Sequence, residues 1–284
     1  TINPQSVTVA ITASDKPYDQ TATAAVTRTP SGIFSSDAAD VTIGSTSNTF
    51  ASANVARDGS GAVTSQTVTS SGLSLTGTKA GNYALTNATA TTTATINPKS
   101  LTASVTASDK TYDKTNAAQI TGHTSADIIA GDAVTLSSTS AIFASANVAR
   151  DGSGNVISQT VTASGLALAG AQADNYALSG TSATTTATIN PKTVSLTATK
   201  TYDGSTALTG SQLTLGNLES GESLGFTGAT LNDKNVVGAA YVNAVTLVNS
   251  GTTLASNYQA PVLTAASSGN TASGQPRSSN CQAT

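Results

Sequence analysis

The sequence predicts an all-β chain: a tandem array of three small, thin β domains, β-sandwich-like or open β-grasp-like sheets, joined end to end as a rod. Three observations predict it. Thr-Ile-Asn-Pro recurs at Thr1, Thr95 and Thr188, spacings of 94 and then 93 residues, the signature of a structural repeat. Larger apolar residues alternate with small or polar ones at period two, as in strands with one buried face, and no stretch shows three turns of helical periodicity. The chain of 284 residues holds 51 Thr, 47 Ala and 38 Ser, so larger apolar side chains make up only roughly a fifth of it. That supply is too small for one thick core and points to several thin domains in series.

The elements follow in chain order. The first repeat, residues 1–94, opens on the alternating run Val7-Thr8-Val9-Ala10-Ile11, continues through Val41-Thr42-Ile43 and Leu73-Ser74-Leu75, and ends on a Thr-rich run. The second, residues 95–187, repeats the order with Leu101-Thr102-Ala103-Ser104-Val105, Val134-Thr135-Leu136 and Leu166-Ala167-Leu168. Residues 50–61 and 143–154 are the same twelve residues. The third, residues 188–266, is shorter, with Val194-Ser195-Leu196 and Leu213-Thr214-Leu215. Thr suits these strands because it is β-branched and carries a hydroxyl for the wet face. Asn97-Pro98 leads straight from one repeat into the next; proline fixes its own φ and extends the residue before it, so a short, stiff junction is expected. Residues 267–284 show no periodicity and are read as a disordered tail.

Aromatic residues are the landmarks, since the chain has seven Tyr, four Phe and no Trp. Tyr18, Tyr112 and Tyr202 each follow a lysine by two positions and precede Asp19, Asp113 and Asp203; Tyr83, Tyr176 and Tyr258 each follow an asparagine. Two repeated tyrosines per domain read as buried anchors supplying much of each small core. An exposed row of tyrosines for stacking sugars is the alternative. The aspartates after Tyr, and Asn82, Asn175 and Asn257, are expected to hold local turns by accepting backbone N–H bonds.

Composition leaves little for catalysis: one histidine, His123, two glutamates, Glu219 and Glu222, and one cysteine, Cys281. His123 has no counterpart in the first repeat and reads as an ordinary surface residue, so no enzyme is expected. One cysteine excludes an internal disulfide framework. The loops at Asp58 and Asp151 look faintly like calcium loops, but each supplies one carboxylate where calcium takes six or more oxygens; they read as hairpin turns, and no cofactor is expected. Asn87-Ala88-Thr89 is a glycosylation sequon absent from the second repeat. Net charge is −3 with scattered basic residues, which disfavours nucleic acid. No apolar window is long enough to span a bilayer. The chain starts at Thr1 without Met or a signal peptide, as a mature product or an excised part of something larger would.

At the Lys-x-Tyr-Asp landmark the chain resembles the YDG-type repeats, and the related MBG-type repeats, of large bacterial exoproteins similar to filamentous haemagglutinin. The second repeat carries the motifs in order: Pro98-Lys99-Ser100-Leu101-Thr102, Lys110-Thr111-Tyr112-Asp113, Gly131-Asp132-Ala133-Val134, Asn147-Val148, Asn175-Tyr176-Ala177-Leu178 and Thr186-Ala187-Thr188-Ile189-Asn190-Pro191. The glycine of the name is present only as Gly204; Gln20 and Lys114 stand there in the other repeats, which leaves the tightness of that turn open. The resemblance implies a secreted or surface-attached, outer-membrane-associated Gram-negative adhesin exported by two-partner secretion. Its repeats would form a stalk or adhesive region facing glycan, host surface or a neighbouring cell. A pure spacer or a self-associating filament is the alternative. The resemblance carries no catalytic residues.

Overall fold

Strands and turns account for the computed structural model, which describes residues 1–277; Cys281 and the end of the predicted tail lie outside the described residues. The only helical segments among them are single 3₁₀ turns such as Ala80–Asn82, Ala173–Asn175 and Ala255–Asn257, each delivering a landmark tyrosine. The sheets are small and open, of two or three strands each. The chain divides into two compact units that do not follow the repeats: one contains Thr1–Ser104, His123–Ser138 and Gly165–Thr181, the other Val105–Gly122, Thr139–Ser164 and Ser182–Thr284.

In the first unit, Gln5–Ala13 is a strand because its alternation buries Val7, Val9 and Ile11 on one face. It pairs antiparallel with Val26–Ser31 and parallel with Tyr83–Leu85, and its apolar face packs on Val41, Leu73 and Tyr83. Asn87 closes this sheet by exchanging amide bonds with the backbone of Val9 (3.0 Å each way), so its sequon amide is already engaged. A second sheet orders Ser47–Phe50, Gln66–Ser71 and Thr89–Ala94 antiparallel. Its core of Tyr18, Phe50, Val55, Val68 and Ala94 also takes in Ile96, Leu101 and Tyr176, which belong to the second repeat.

The second unit uses the same device. Ser140–Phe143, Gln159–Ser164 and Ser182–Ala187 form the matching sheet. Tyr112, Phe143, Val148 and Val161 then share one core with third-repeat residues including Ile189, Val194, Leu196, Leu213 and Tyr258. The segment around each Asn-Pro stitches the repeats together. Ile96–Asn97 runs parallel with Lys16–Pro17, and Lys99–Leu101 then runs parallel with Tyr176–Leu178. Ile189–Asn190 with Lys110–Thr111, and Lys192–Thr193 with Tyr258–Gln259, do the same. Ile96 and Ile189 are fully buried there.

Two sequence readings are corrected. The run 101–105 is not one strand: Lys99–Leu101 and Ser104–Ala107 are separate, whereas its first-repeat counterpart is continuous. The tail is not structureless along its length, since Asn270–Gln275 is a strand pairing parallel with Ser195–Thr201. Its Thr271-Ala272-Ser273-Gly274-Gln275-Pro276 is a degraded Thr-Ala-Thr-Ile-Asn-Pro, hidden because glycine replaces isoleucine. The replacement has a steric reason: a Cβ on Gly274 would meet the Val236 Cα at 2.7 Å, so the Val236 backbone occupies the isoleucine's place.

Candidate functional site

The residues singled out from sequence converge at the boundaries between repeats. Each Lys-x-Tyr-Asp stretch is a turn closed from both sides. Asp19 Oδ1 accepts the Thr21 N–H (2.9 Å) and hydroxyl (2.8 Å), while Lys16 Nζ donates to Asp19 (2.7 Å) and to the Thr21 (2.8 Å) and Thr23 (3.1 Å) carbonyls. Lys110 and Asp113 repeat this pattern, with Asp113 to the Thr115 N–H at 2.9 Å; in the third turn Asp203 accepts the Ser205 N–H at 2.9 Å and lies 3.1 Å from Lys200. Burial raises the Asp19 and Asp113 carboxyls, but the lysine and threonine bonds outweigh it and hold both below the usual carboxylate range. The residue after each Asp is left-handed: Gln20 at φ 66°, Lys114 at 68° and Gly204 at 81°. The turn is equally tight in all three repeats, with or without the glycine.

What that turn faces is the following repeat. At the first junction, Tyr18 and Tyr176 meet edge to face, centroids 5.6 Å apart at 71°. Both hydroxyls donate to one carboxylate, Asp132, at 3.2 and 2.6 Å, and Gln20 Nε2 adds a third bond at 2.9 Å. Tyr176 is fixed in turn by the Ile129 N–H donating to its oxygen at 2.9 Å. At the second junction, Tyr112 and Tyr258 meet at 5.4 Å and 73°, with Glu222 accepting from Tyr112 at 2.8 Å and also from Tyr258. Lys114 Nζ donates to the Ser220 carbonyl at 2.8 Å. Burial first, then the carboxylate bond, pushes Tyr112 and Tyr176 up to about 12. Burial lifts the Asp132 carboxyl, but the bonds from Tyr176, Gln20 and Tyr18 win and hold it below the usual range.

Of the asparagines before the tyrosines, Asn175 and Asn257 bond across repeats rather than hold local turns, contrary to the sequence reading. Buried Asn175 accepts the Val55 N–H at 2.9 Å and donates to Asn54 Oδ1 at 2.9 Å, reaching back into the first repeat. Asn257 does the same to Val148 (2.9 Å) and Asn147 (2.8 Å). Arg57 and Arg150, each ahead of an Asp-Gly loop, donate to the Asp174 and Ser256 carbonyls at 2.8 Å.

Five of the six landmark tyrosines are at most 7 % exposed; Tyr202 departs from the anchor expectation at 41 %. Among the described residues no second tyrosine stacks on it and no carboxylate accepts its hydroxyl. Sequence reasoning missed Asp132 and Glu222 as acceptors. The one available signal was the Gly-acid pair before an apolar strand, Gly131-Asp132 and Gly221-Glu222.

The other candidates stay apart. Asp58 and Asp151 accept the backbone N–H groups of their own loops, Ser60 and Ala62 (2.9 Å each), and Ser153 (2.9 Å) and Asn155 (2.8 Å). Their oxygens thus hold turns. His123 Nε2 lies 2.9 Å from Ser138 Oγ. Among the described residues no group of three or more His, Cys, Asp and Glu is placed to hold a metal, and no helix is long and apolar enough to cross a membrane.

A family model described as YDG domain matches residues 3–93, 97–187 and 184–267. The chain belongs to the YDG domain family. The third YDG match ends at 267, short of the closing strand Asn270–Gln275. A search of curated proteins gives no match. The landmark Tyr-Asp of each YDG repeat thus belongs geometrically to a junction: it closes its own repeat and, in the first two, receives the next.

Proposed function

We propose that this chain is a non-enzymatic repeat segment of a secreted or cell-surface bacterial adhesin of the filamentous-haemagglutinin-like, two-partner-secretion kind, which projects or contributes to multivalent adhesion. The observation that carries the reading is the junction built twice. Tyr18 with Tyr176 on Asp132, and Tyr112 with Tyr258 on Glu222, spend the polar and aromatic landmarks on joining repeats. Side chains used this way serve continuity of a stalk rather than turnover of a substrate. Adhesion then comes from many weak contacts along exposed Thr- and Ser-rich strands, where linkage multiplies modest affinities.

The same observation favours a second reading, a pure spacer without a ligand of its own. A glycan and matrix-protein array probed with the chain separates the two. Retention on a defined glycan or matrix component, strengthened when the chain is displayed in several copies, is the expected result. An array with nothing retained leaves the spacer. A hydrolase screen finding turnover that His123→Ala abolishes would overturn the non-enzymatic reading.

A further inference from the structure

Each junction has a plug and a socket. The plug is the Tyr-Asp turn with the Asn-Val loop of one repeat; the socket is the Asn-Tyr pair with a carboxylate of the next. The chain carries one of each left over. In the first repeat, Tyr83 donates to Asp37 Oδ2 at 2.9 Å and accepts the Phe34 N–H at 3.3 Å, the arrangement of Tyr176 with Asp132 and Ile129. Among the described residues nothing covers it: Asn82, the counterpart of buried Asn175 and Asn257, is exposed, Phe34 is 62 % exposed and Ile2 fully so. These residues, with Asp37 and Tyr83, line a cavity of about 480 Å³. Among the described residues the matching plug of the third repeat is uncovered as well. Tyr202 is 41 % exposed, Val237 is 99 % exposed, and Asn235, the counterpart of Asn54 and Asn147, is exposed.

We propose that a second copy of this chain docks head to tail, its Tyr202 turn and Asn235-Val236 loop entering the socket formed by Asn82, Tyr83 and Asp37. Tyr202 packs edge-on against Tyr83 and donates to Asp37, while Asn82 meets the Asn235-Val236 backbone. The donor keeps its own closing strand, because the Tyr202 N–H already donates to the Gln275 carbonyl (2.8 Å) as Tyr18 does to Asn97 (2.9 Å). The acceptor's residues 1–4 form no strand; Ile2, Asn3 and Pro4 line the cavity and meet the entering turn without pairing with it as Ile96–Asn97 pairs with Lys16–Pro17. Plug and socket are different surfaces, so the contact is heterologous and propagates into chains of molecules. It goes beyond the adhesion reading and stands without it.

Sedimentation velocity from about 10 µM to about 1 mM, the range in which small transient interfaces associate, tests it. The expected result is a weight-average mass rising with concentration. Tyr202→Ala and Asn82→Ala, both at exposed side chains that make no hydrogen bond among the described residues, each weaken association at least tenfold. Mixed one to one, the two variants form dimers that grow no further, since only one intact plug and one intact socket remain. A wild-type chain that stays monomeric across the range overturns the proposal, as does association that both variants leave unchanged or a mixture that fails to pair.

Discussion

Tyr112 and Tyr202 occupy the same place in consecutive repeats, each two residues after a lysine and just before an aspartate, yet one is 4 % exposed and the other 41 %. Their own turns are alike, with φ of 68° at Lys114 and 81° at Gly204. The difference lies across the boundary. Tyr112 meets Tyr258 and Glu222 from the next repeat, and among the described residues Tyr202 meets no such pair. A landmark tyrosine is therefore buried by its neighbour's residues, and the repeated local motif prepares a surface that only the next repeat completes. The largest effect that can break this comparison is truncation. Tyr112→Ala is expected to cost about 3–4 kcal/mol, the loss for a large buried aromatic, whereas Tyr202→Ala changes stability by no more than about 0.5 kcal/mol. Urea denaturation of both variants in dilute solution decides it, and similar losses would mean that the tyrosine acts within its own repeat.

Next in size is the shared carboxylate. Asp132→Asn and Glu222→Gln keep shape but remove a charged acceptor from two tyrosine hydroxyls, and each is expected to cost about 1.5–3 kcal/mol. Asp203→Asn, at the open end, loses a lysine and a backbone contact in water and should cost less than either.

The pH dependence sharpens the same contrast. Asp132 has its folded value depressed, so its contribution is present above the unfolded value of about 3.9 and is lost as pH falls through the lower folded value. Asp203 is also depressed, by the Ser205 N–H first and then Lys200, so acid weakens the open end too. Alkali acts at the filled junctions and also at Tyr83, which burial and then the Asp37 bond raise; among the described residues the Tyr202 hydroxyl makes no such bond. Tyr112 and Tyr176 are raised to about 12, so their contribution is full below about 10 and disappears as pH rises through about 12. Denaturation between pH 7 and 12 should show this decline, with Tyr112→Phe removing part of it; an unchanged slope in that variant would count against the junction as its source.

How much of this was legible in the sequence depends on the range of the interaction. Strand positions such as Val7-Thr8-Val9 could be read because period-two alternation is local, and Tyr18, Tyr112 and Tyr202 could be matched because the repeat aligns them. Their burial was read too, but as burial within their own repeats; what buries them could not be read, since the partner stands 110 residues away for Tyr112 and Glu222. The acceptor also changes from Asp132 to Glu222, and its separation from the tyrosine it holds changes from 44 to 36 residues. The closing strand Asn270–Gln275 escaped because Gly274 erased the apolar residue that marks the motif, a substitution made possible by the Val236 backbone filling the space.

The smallest effects lie at the residue after each Asp. A non-glycine residue held left-handed costs about 1 kcal/mol, and Gln20 and Lys114 bear that cost where their side chains cross the junction: Gln20 to Asp132 and the Ala130 carbonyl, Lys114 to the Ser220 carbonyl. Gly204 sits where no repeat receives a side chain, and a Cβ there would meet nothing within 4 Å. Gly204→Ala should therefore cost about 1 kcal/mol from the backbone alone. Gln20→Gly and Lys114→Gly relieve the strain but lose contacts of similar size, so each should shift stability by no more than about 0.5 kcal/mol. A thermal scan resolves the sign. Clear stabilisation by Gln20→Gly would mean that its bonds to Asp132 and Ala130 are worth little in water, and the left-handed glutamine would then have no role in joining the repeats.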